Sequence, residues 1–297
     1  VNDRGGKEPV SVLGLGPMGQ ALARAFLTAG HPTIVWNRTA ARAVTLTELG
    51  ATRADDAVDA IRAGSLVIAC LVDDSAVGEV LQPLAGQLRG RALVNLTSSS
   101  PRQSRERSAW AARHGIDYLD GAILTPTPTI GQPSALILYS GPPSAYQAAQ
   151  PVLAALGGRA VYLGADPGRA AAYDVSCLAM FWLSVLGIAH GLALASAEGI
   201  PGSDLGPYAQ AIAGMLPEMT TRFATQLAAG DYPGDRSTIT SAAAGLGHIT
   251  QTAREHALDA VVLDASMILL GRAVQAGHGA NGLARLAETL ATANPRQ

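Results

Sequence analysis

Asp166-Pro167-Gly168-Arg169 opens a stretch that runs through Tyr173-Asp174, Phe181-Trp182-Leu183 and His190 to Ala197-Glu198-Gly199-Ile200-Pro201. Asp166 is a suitable N-cap, and Pro167 suits a first helical position, where no N–H is needed. Gly199 is a suitable C′ residue and Pro201 stops continuation. The marks predict one helix of roughly 30 residues, about 45 Å long. It is apolar on nearly all sides, so burial on nearly all sides is expected. A membrane span is the rival reading. It needs roughly 17–25 apolar residues, and Asp174 and His190 bound the uncharged run too tightly. The stretch is read as a buried soluble spine carrying one carboxylate, Asp174.

Before the spine, strand and helix patterns alternate; after it, only helix patterns remain. The expected fold is an α/β Rossmann-type doubly wound parallel sheet, a long interdomain helix and an all-α C-terminal domain. Its expected bounds are 1–165 for the Rossmann domain, 166–199 for the linking helix, and 200–297 for a helical dimerisation and substrate domain. The length of 297 residues and the 48% apolar share suit two cores. Net charge is −2, which implies no nucleic-acid surface. Cys70 and Cys177 sit in apolar runs and read as buried thiols of a reducing cytoplasm. Val1 to Glu8 is polar, without the apolar core of a signal peptide. Lys7 is the only lysine.

Working back from the spine, Val10–Leu13 reads as a strand, Gly14-Leu15-Gly16-Pro17-Met18-Gly19 as a glycine turn, and Gln20–Ala29 as a helix. G-x-G-x-x-G in that context predicts a dinucleotide site, with pyrophosphate on the helix N-terminus. A bare glycine turn is the plain alternative. The second strand, Thr33–Trp36, ends in Asn37-Arg38-Thr39 with Arg42 one turn on, and no acid stands between Gly30 and Thr47. An NAD site would place Asp or Glu there. Arg38, Thr39 and Arg42 instead suit a 2′-phosphate, so NADPH is the expected cofactor.

Further strands are expected at Ser65–Cys70, Ala92–Leu96, Asp117–Leu119, Ala135–Tyr139 and Ala160–Leu163, with helices at Ser75–Leu88 and Arg102–His114. Substrate and cofactor loops leave the carboxyl ends of such strands. They are Leu71-Val72-Asp73-Asp74, Asn95 to Ser100, and Asp120 to Gly131. Leu71, Val72, Asn95 and Thr97 join the cofactor set; Ser98, Ile123 and Leu124 join the substrate pocket. Ser99 or Ser100 can equally cap the helix behind Pro101. Helical segments follow near 205–215, 218–228, 237–255, 261–276 and 280–292. About 100 residues of small helices cannot cover the spine, so a homodimer with intertwined helical domains is expected. The six histidines are scattered and the cysteines lack a motif, so no metal site is expected.

These stretches resemble the NADPH-dependent imine reductases of the β-hydroxyacid dehydrogenase superfamily. The matching residues are Gly14 to Gly19, Val35-Trp36-Asn37-Arg38-Thr39, Val94-Asn95-Leu96-Thr97 and Asp120-Gly121-Ala122-Ile123 through Ile130-Gly131. Leu138-Tyr139-Ser140-Gly141, Tyr173-Asp174 and Ala276-Gly277-His278-Gly279 also match. The resemblance implies hydride transfer from NADPH to the C=N carbon of mainly cyclic imines. Asp174 then stands where the hydroxyacid dehydrogenases carry a catalytic lysine, and no Gly-Gly pair follows Asp120 to receive a carboxylate. A 3-hydroxyacid dehydrogenase and an NADPH-binding module without chemistry are the competing readings.

An imine accepts hydride once protonated, and a partly buried carboxylate can hold that proton or stabilise the iminium. The second role is favoured for Asp174; a helix-end Asp paired with Arg169 is the plain alternative. Trp182, eight residues on, is expected to wall the pocket. Ser241 and Ala242 begin a helix that, by resemblance, faces the partner's cofactor; His248 on the same helix reads as structural. Reductive aminases of this family typically carry Asn and Tyr where Ser98 and Trp182 stand, so the resemblance implies imine reduction rather than efficient amine–ketone coupling.

Overall fold

The computed structural model describes residues 7–292. Residues 1–6, most of the polar tail, lie outside them. The chain divides into two compact units, with the division between Phe181 and Trp182.

The first unit alternates strand and helix. Its elements are β1 (Val10–Leu13), α1 (Pro17–Thr28), β2 (Thr33–Trp36), a 3-10 turn running into α2 (Val44–Glu48), β3 (Thr52–Arg53), α3 (Ala57–Ala63), β4 (Leu66–Ala69) and α4 (Asp74–Leu81). Then come α5 (Ala85–Leu88), β5 (Ala92–Asn95), α6 (Pro101–Arg113), β6 (Asp117–Ile123), β7 (Leu136–Ser140), α7 (Pro143–Leu153), β8 (Arg159–Tyr162) and the start of α8 (Arg169–Ala197). The strands form one sheet in the order β3-β2-β1-β4-β5-β6-β7-β8. The strand order reverses at β1, so the connections that leave the paired parallel strands β1 and β4 go to opposite faces of the sheet and leave a crevice at their carboxyl ends. Helices cover both faces: one core gathers Leu22, Phe26, Leu119 and Tyr139, the other Leu13, Ile61, Leu81 and Tyr118.

Three expectations need correction. The sheet is not wholly parallel: β7 pairs antiparallel with β6, Asp120 opposite Ser140. The connection between them carries only a short 3-10 turn, and antiparallel neighbours need no helical crossover. β6 also runs on to Ile123, so Asp120 to Ile123 is strand rather than loop. The third concerns α8. Of its side chains only Ala170, Ala171, Asp174 and Ala195 are buried, and Cys177 is exposed. The helix is apolar on every side, but only part of its first turns and Ala195 near its end are covered. It is also the one helix among the described residues long and apolar enough to cross a membrane.

The start of α8 is built tightly. The Asp166 carboxylate accepts the Gly168 N–H at 3.0 Å and is gripped by Arg105 through two bonds of 2.9 and 2.8 Å. Those bonds hold the Asp166 carboxyl down to about pKa 2. Ser140 donates to the Pro167 carbonyl and accepts from the Ala170 N–H, fastening the helix start to β7. The helix therefore begins at Arg169, after a turn through Pro167 and Gly168.

The second unit is helical: the rest of α8, then α9 (Gly202–Ala213), α10 (Leu216–Ala229), α11 (Ile239–Glu255), α12 (Val261–Ala273) and α13 (Leu286–Thr292). Its small core is Ile239, Leu270 and Ala273 with Leu246, Leu283 and Leu286 against them. Thr238 caps α11, and a π turn at Val274–His278 ends α12.

Candidate active site

The glycine turn shows three different requirements. Gly14 sits at φ +99°, and a Cβ there would come within 2.2 Å of the Cys70 carbonyl oxygen. A Cβ on Gly19 would lie 1.9 Å from the Gly14 oxygen, so α1 packs directly on the turn. A Cβ on Gly16 would meet nothing within 4 Å. Packing therefore demands the first and third glycines, while the middle one faces open space. Gly16 is the N-cap of α1, with Pro17 at N1, no side-chain cap and no acid in the first turn. The exposed N–H groups and positive dipole end are left for an anion, which fits the pyrophosphate of NADPH.

Asn37 ties this turn to the second strand. Its carbonyl oxygen accepts the Leu15 N–H at 3.0 Å and its amide donates to Thr39 O at 3.1 Å. Arg38 lines a cleft of about 230 Å3 with Trp36, Asn37, Ala43 and Ala54. Arg38, Thr39 and Arg42 are exposed. The acids at this cleft come from beyond β3: Asp55, paired with Arg53 at 2.9 Å, and Asp56, which caps α3. Neither occupies the position at the end of β2 from which an acid would hold a ribose 2′-hydroxyl.

Leu71 is half-buried and Val72 exposed at the end of β4, where Asp73 caps α4. Asn95 and Thr97 are buried, and their side chains form an internal scaffold. Thr97 Oγ1 accepts the Leu71 N–H, and Asn95 Oδ1 accepts the Thr97 N–H. Asn95 in turn donates to the Tyr118 hydroxyl at 3.2 Å, and Tyr118 donates to Asp120 at 3.0 Å. Ser99 shares a hydrogen bond with Ser104, which donates to the other Asp120 oxygen at 3.1 Å. Ser100 caps α6 in a reciprocal capping box with Gln103.

That scaffold holds Ser98, whose hydroxyl bonds to Asp174. Asp174 is only 3% exposed. Burial raises its proton affinity and the Ser98 bond opposes the rise. Among the described residues no ion pair joins it to Arg169. Ile123 and Leu124 follow on, packed against two different apolar clusters. Trp182, Ser241 and Ala242 belong to the second unit. Trp182 is exposed, and the Ser241 N–H is engaged by the Thr238 cap at 3.1 Å.

Sequence reasoning missed the Tyr118–Asp120–Ser104 cluster. Tyr118 and Asp120 alternate on one strand face, which is a faint signal, but only the packing of α6 on β6 brings Ser104 to them.

Residues 9–164 match the family model of the NAD binding domain of 6-phosphogluconate dehydrogenase, and residues 166–292 the NADPH-dependent reductive aminase-like C-terminal domain. An NADPH-dependent reductive aminase of Aspergillus oryzae is 32% identical over 94% of this chain and 96% of its own length. The chain belongs to the imine reductase and reductive aminase family. Two structures of imine reductases and reductive aminases superpose along nearly their whole length. An imine reductase from Myxococcus stipitatus in complex with NADP+ gives a TM-score of 0.90 at 33% identity, covering 96% of this chain and 99% of that one. A reductive aminase from Aspergillus terreus in complex with NADPH and ethyl levulinate gives 0.89 at 34%, with the same coverage.

Proposed function

We propose that the protein reduces the C=N bond of imines, mainly cyclic ones, with NADPH as hydride donor, and that Asp174 serves the reacting nitrogen. The observation that carries this reading is a buried carboxylate, bonded to Ser98, in the unit that also holds an open glycine turn and exposed arginines after β2. NADPH, when bound, supplies the hydride. The chain's own residues do the rest. Gly14, Leu15, Gly16, Pro17 and Met18 seat the pyrophosphate on the α1 N-terminus. Arg38, Thr39 and Arg42 hold the 2′-phosphate, and Leu71 and Val72 border the crevice. Asn95 and Thr97 act from behind by fixing the loop that carries Ser98.

Asp174 stabilises the cationic iminium as its counter-ion. Burial strengthens that attraction, since few water dipoles compete with it. The raised proton affinity of the carboxyl also suits it to hold a proton before transfer. A 3-hydroxyacid dehydrogenase is not favoured: Lys7, the only lysine, precedes β1 rather than standing on α8.

The apolar length of α8 is covered by a second copy, whose helical domain carries Trp182, Ser241 and Ala242 as candidate substrate contacts. A location in the cytoplasm accords with the free thiols Cys70 and Cys177. The deciding experiment is steady-state turnover of five- and six-membered cyclic imines with NADPH and with NADH, beside a 3-hydroxy acid with NADP+. Reduction of imine with NADPH is expected; oxidation of the hydroxy acid alone would overturn the reading. A ketone with excess amine, run in parallel, measures how far the same site assists imine formation.

A further inference from the structure

Two chains of hydrogen-bond donors converge on one buried carboxyl behind the site. From one side the Thr97 N–H donates to Asn95, Asn95 to Tyr118, and Tyr118 to one Asp120 oxygen. From the other side Ser104 donates to the second oxygen, which leaves the Ser99 hydroxyl as donor to Ser104. Asp120 is 2% exposed and ends both chains as acceptor. Both chains begin in the loop after β5, the segment that carries Ser98 and its bond to Asp174.

We propose that Asp120 is a positioning residue for imine reduction: as a carboxylate it locks the 96–100 loop that aims Ser98 at Asp174, and as a neutral acid it releases one of the two chains. The proposal rests on the imine-reducing reading above. The reason is donor arithmetic. A carboxylate accepts from both hydroxyls, whereas a protonated carboxyl must itself donate. Whichever hydroxyl receives that proton, Tyr118 or Ser104, must turn its own O–H away from Asp120, so one of the two chains loses its last donor.

The charges facing Asp120 make the change accessible. Asp174 stands on α8, and Asp74, paired with Arg107 of α6 at 2.9 Å, at the start of α4. Tyr118 is the titratable neighbour on β6 itself. Burial raises the Asp120 pKa to about 7; the Tyr118 and Ser104 bonds oppose the rise, and Asp174 and Asp74 add to it. Two nearby carboxylates resist being charged together. Asp120 therefore takes up its proton near neutrality.

The test uses the whole enzyme and a permanently charged N-alkyl iminium, so that substrate protonation drops out. In the wild type kcat/KM should rise through pH 7. In Asp120→Asn the rise should vanish and kcat/KM at pH 8.5 should fall about tenfold, the scale of one pKa unit of altered interaction. The NADPH Kd should stay unchanged. Tyr118→Phe and Ser104→Ala each remove a donor to the charged form, so each should move the inflection to higher pH rather than abolish it. These variants keep the carboxyl, and they answer the question if Asp120→Asn folds poorly. Infrared difference spectra should show a protonated carboxyl that titrates near pH 7 and is missing in Asp120→Asn. A wild type that reduces no iminium would sink the imine reading itself, even with that infrared band present. An active wild type with no such band, or a uniform loss at every pH in Asp120→Asn, would overturn the positioning role alone.

Discussion

Asp120 and Asp174 are 2% and 3% exposed inside the sheet unit, while Leu183 and Ile188, on the second unit's share of α8, stand 64% and 58% exposed. One region buries charge-bearing groups and the other shows apolar ones. The buried carboxyls persist because hydroxyls meet them: Tyr118 and Ser104 on Asp120, Ser98 on Asp174. A buried polar group without such partners would cost about 1–3 kcal/mol. The exposed apolar groups have no such internal remedy. Neither α9 nor α10 contains a fully buried residue. A sheet covered by helices on both faces closes its own core, whereas a few short helices cannot close one around a helix of 29 residues. The contrast places the buried carboxyls in a unit that closes its own core and the uncovered hydrophobic surface in the other.

The sharpest way to test the first half of that contrast is Asp174→Asn. Its kcat/KM for neutral imines should drop by about 10²–10⁴-fold, the range of a positioned proton-transfer or charge-stabilising group. The NADPH Kd and melting temperature should barely move. Folded, cofactor-binding Asp174→Asn with wild-type rates would remove the carboxylate from the mechanism. A smaller loss on an N-alkyl iminium than on a neutral imine would apportion the role between proton handling and charge.

The second half is broken by charging the exposed face of α8. The wild type should be a dimer at micromolar concentration, with a melting temperature that rises with protein concentration. The double variant Leu183→Arg, Ile188→Arg should weaken self-association about 100-fold, as two anchors at over ~1 kcal/mol each imply. Light scattering reads it directly. A fully active wild-type monomer would refute the dimer.

Replacing Arg38 and Arg42 together by Ala should raise KM for NADPH about 10–30-fold and leave KM for NADH nearly unchanged, since each guanidinium contact to a phosphate is worth a kcal/mol or so. Equal wild-type efficiency with both cofactors would undo the 2′-phosphate assignment.

The smallest contrast lies within the glycine turn. Gly19→Ala drives a Cβ into a backbone oxygen and should destabilise the fold by about 1–3 kcal/mol. Gly16→Ala meets nothing within 4 Å. It should leave stability within about 0.5 kcal/mol and weaken NADPH binding instead. Thermal melts paired with cofactor titrations separate the two.

Much of this was legible in the chain. Gly14 to Gly19 specified strand, turn and helix by their spacing alone; in the structure Gly14 and Gly19 answer steric demands and Gly16 faces open space. Thr33–Trp36 was readable as a strand, with Asn37-Arg38-Thr39 as the turn behind it, without reference to any distant residue. Elements with little local signal escaped: β3 spans two exposed residues, α3 is short, and α7 contains Pro151. The antiparallel β7 also escaped, since an apolar run of five residues reads the same in either direction.

The site divides along the same line. Asp174 was visible from sequence as the one charge in an apolar run, and composition along a single segment needs no partners to be read. Its bond to Ser98, the role of Asn95 and Thr97 as internal struts, and the convergence on Asp120 were settled only by tertiary structure. Those depend on α6 packing against β6 and on α8 being fastened to β7 by Ser140, contacts between residues far apart in the chain. Periodicity reports which side of an element is apolar; it does not report what comes to lie against that side. The sequence by itself therefore determined the alternation of strand and helix before an all-helical half, the glycine turn and the lone carboxylate, while the fold decided which of the buried polar groups that carboxylate would meet.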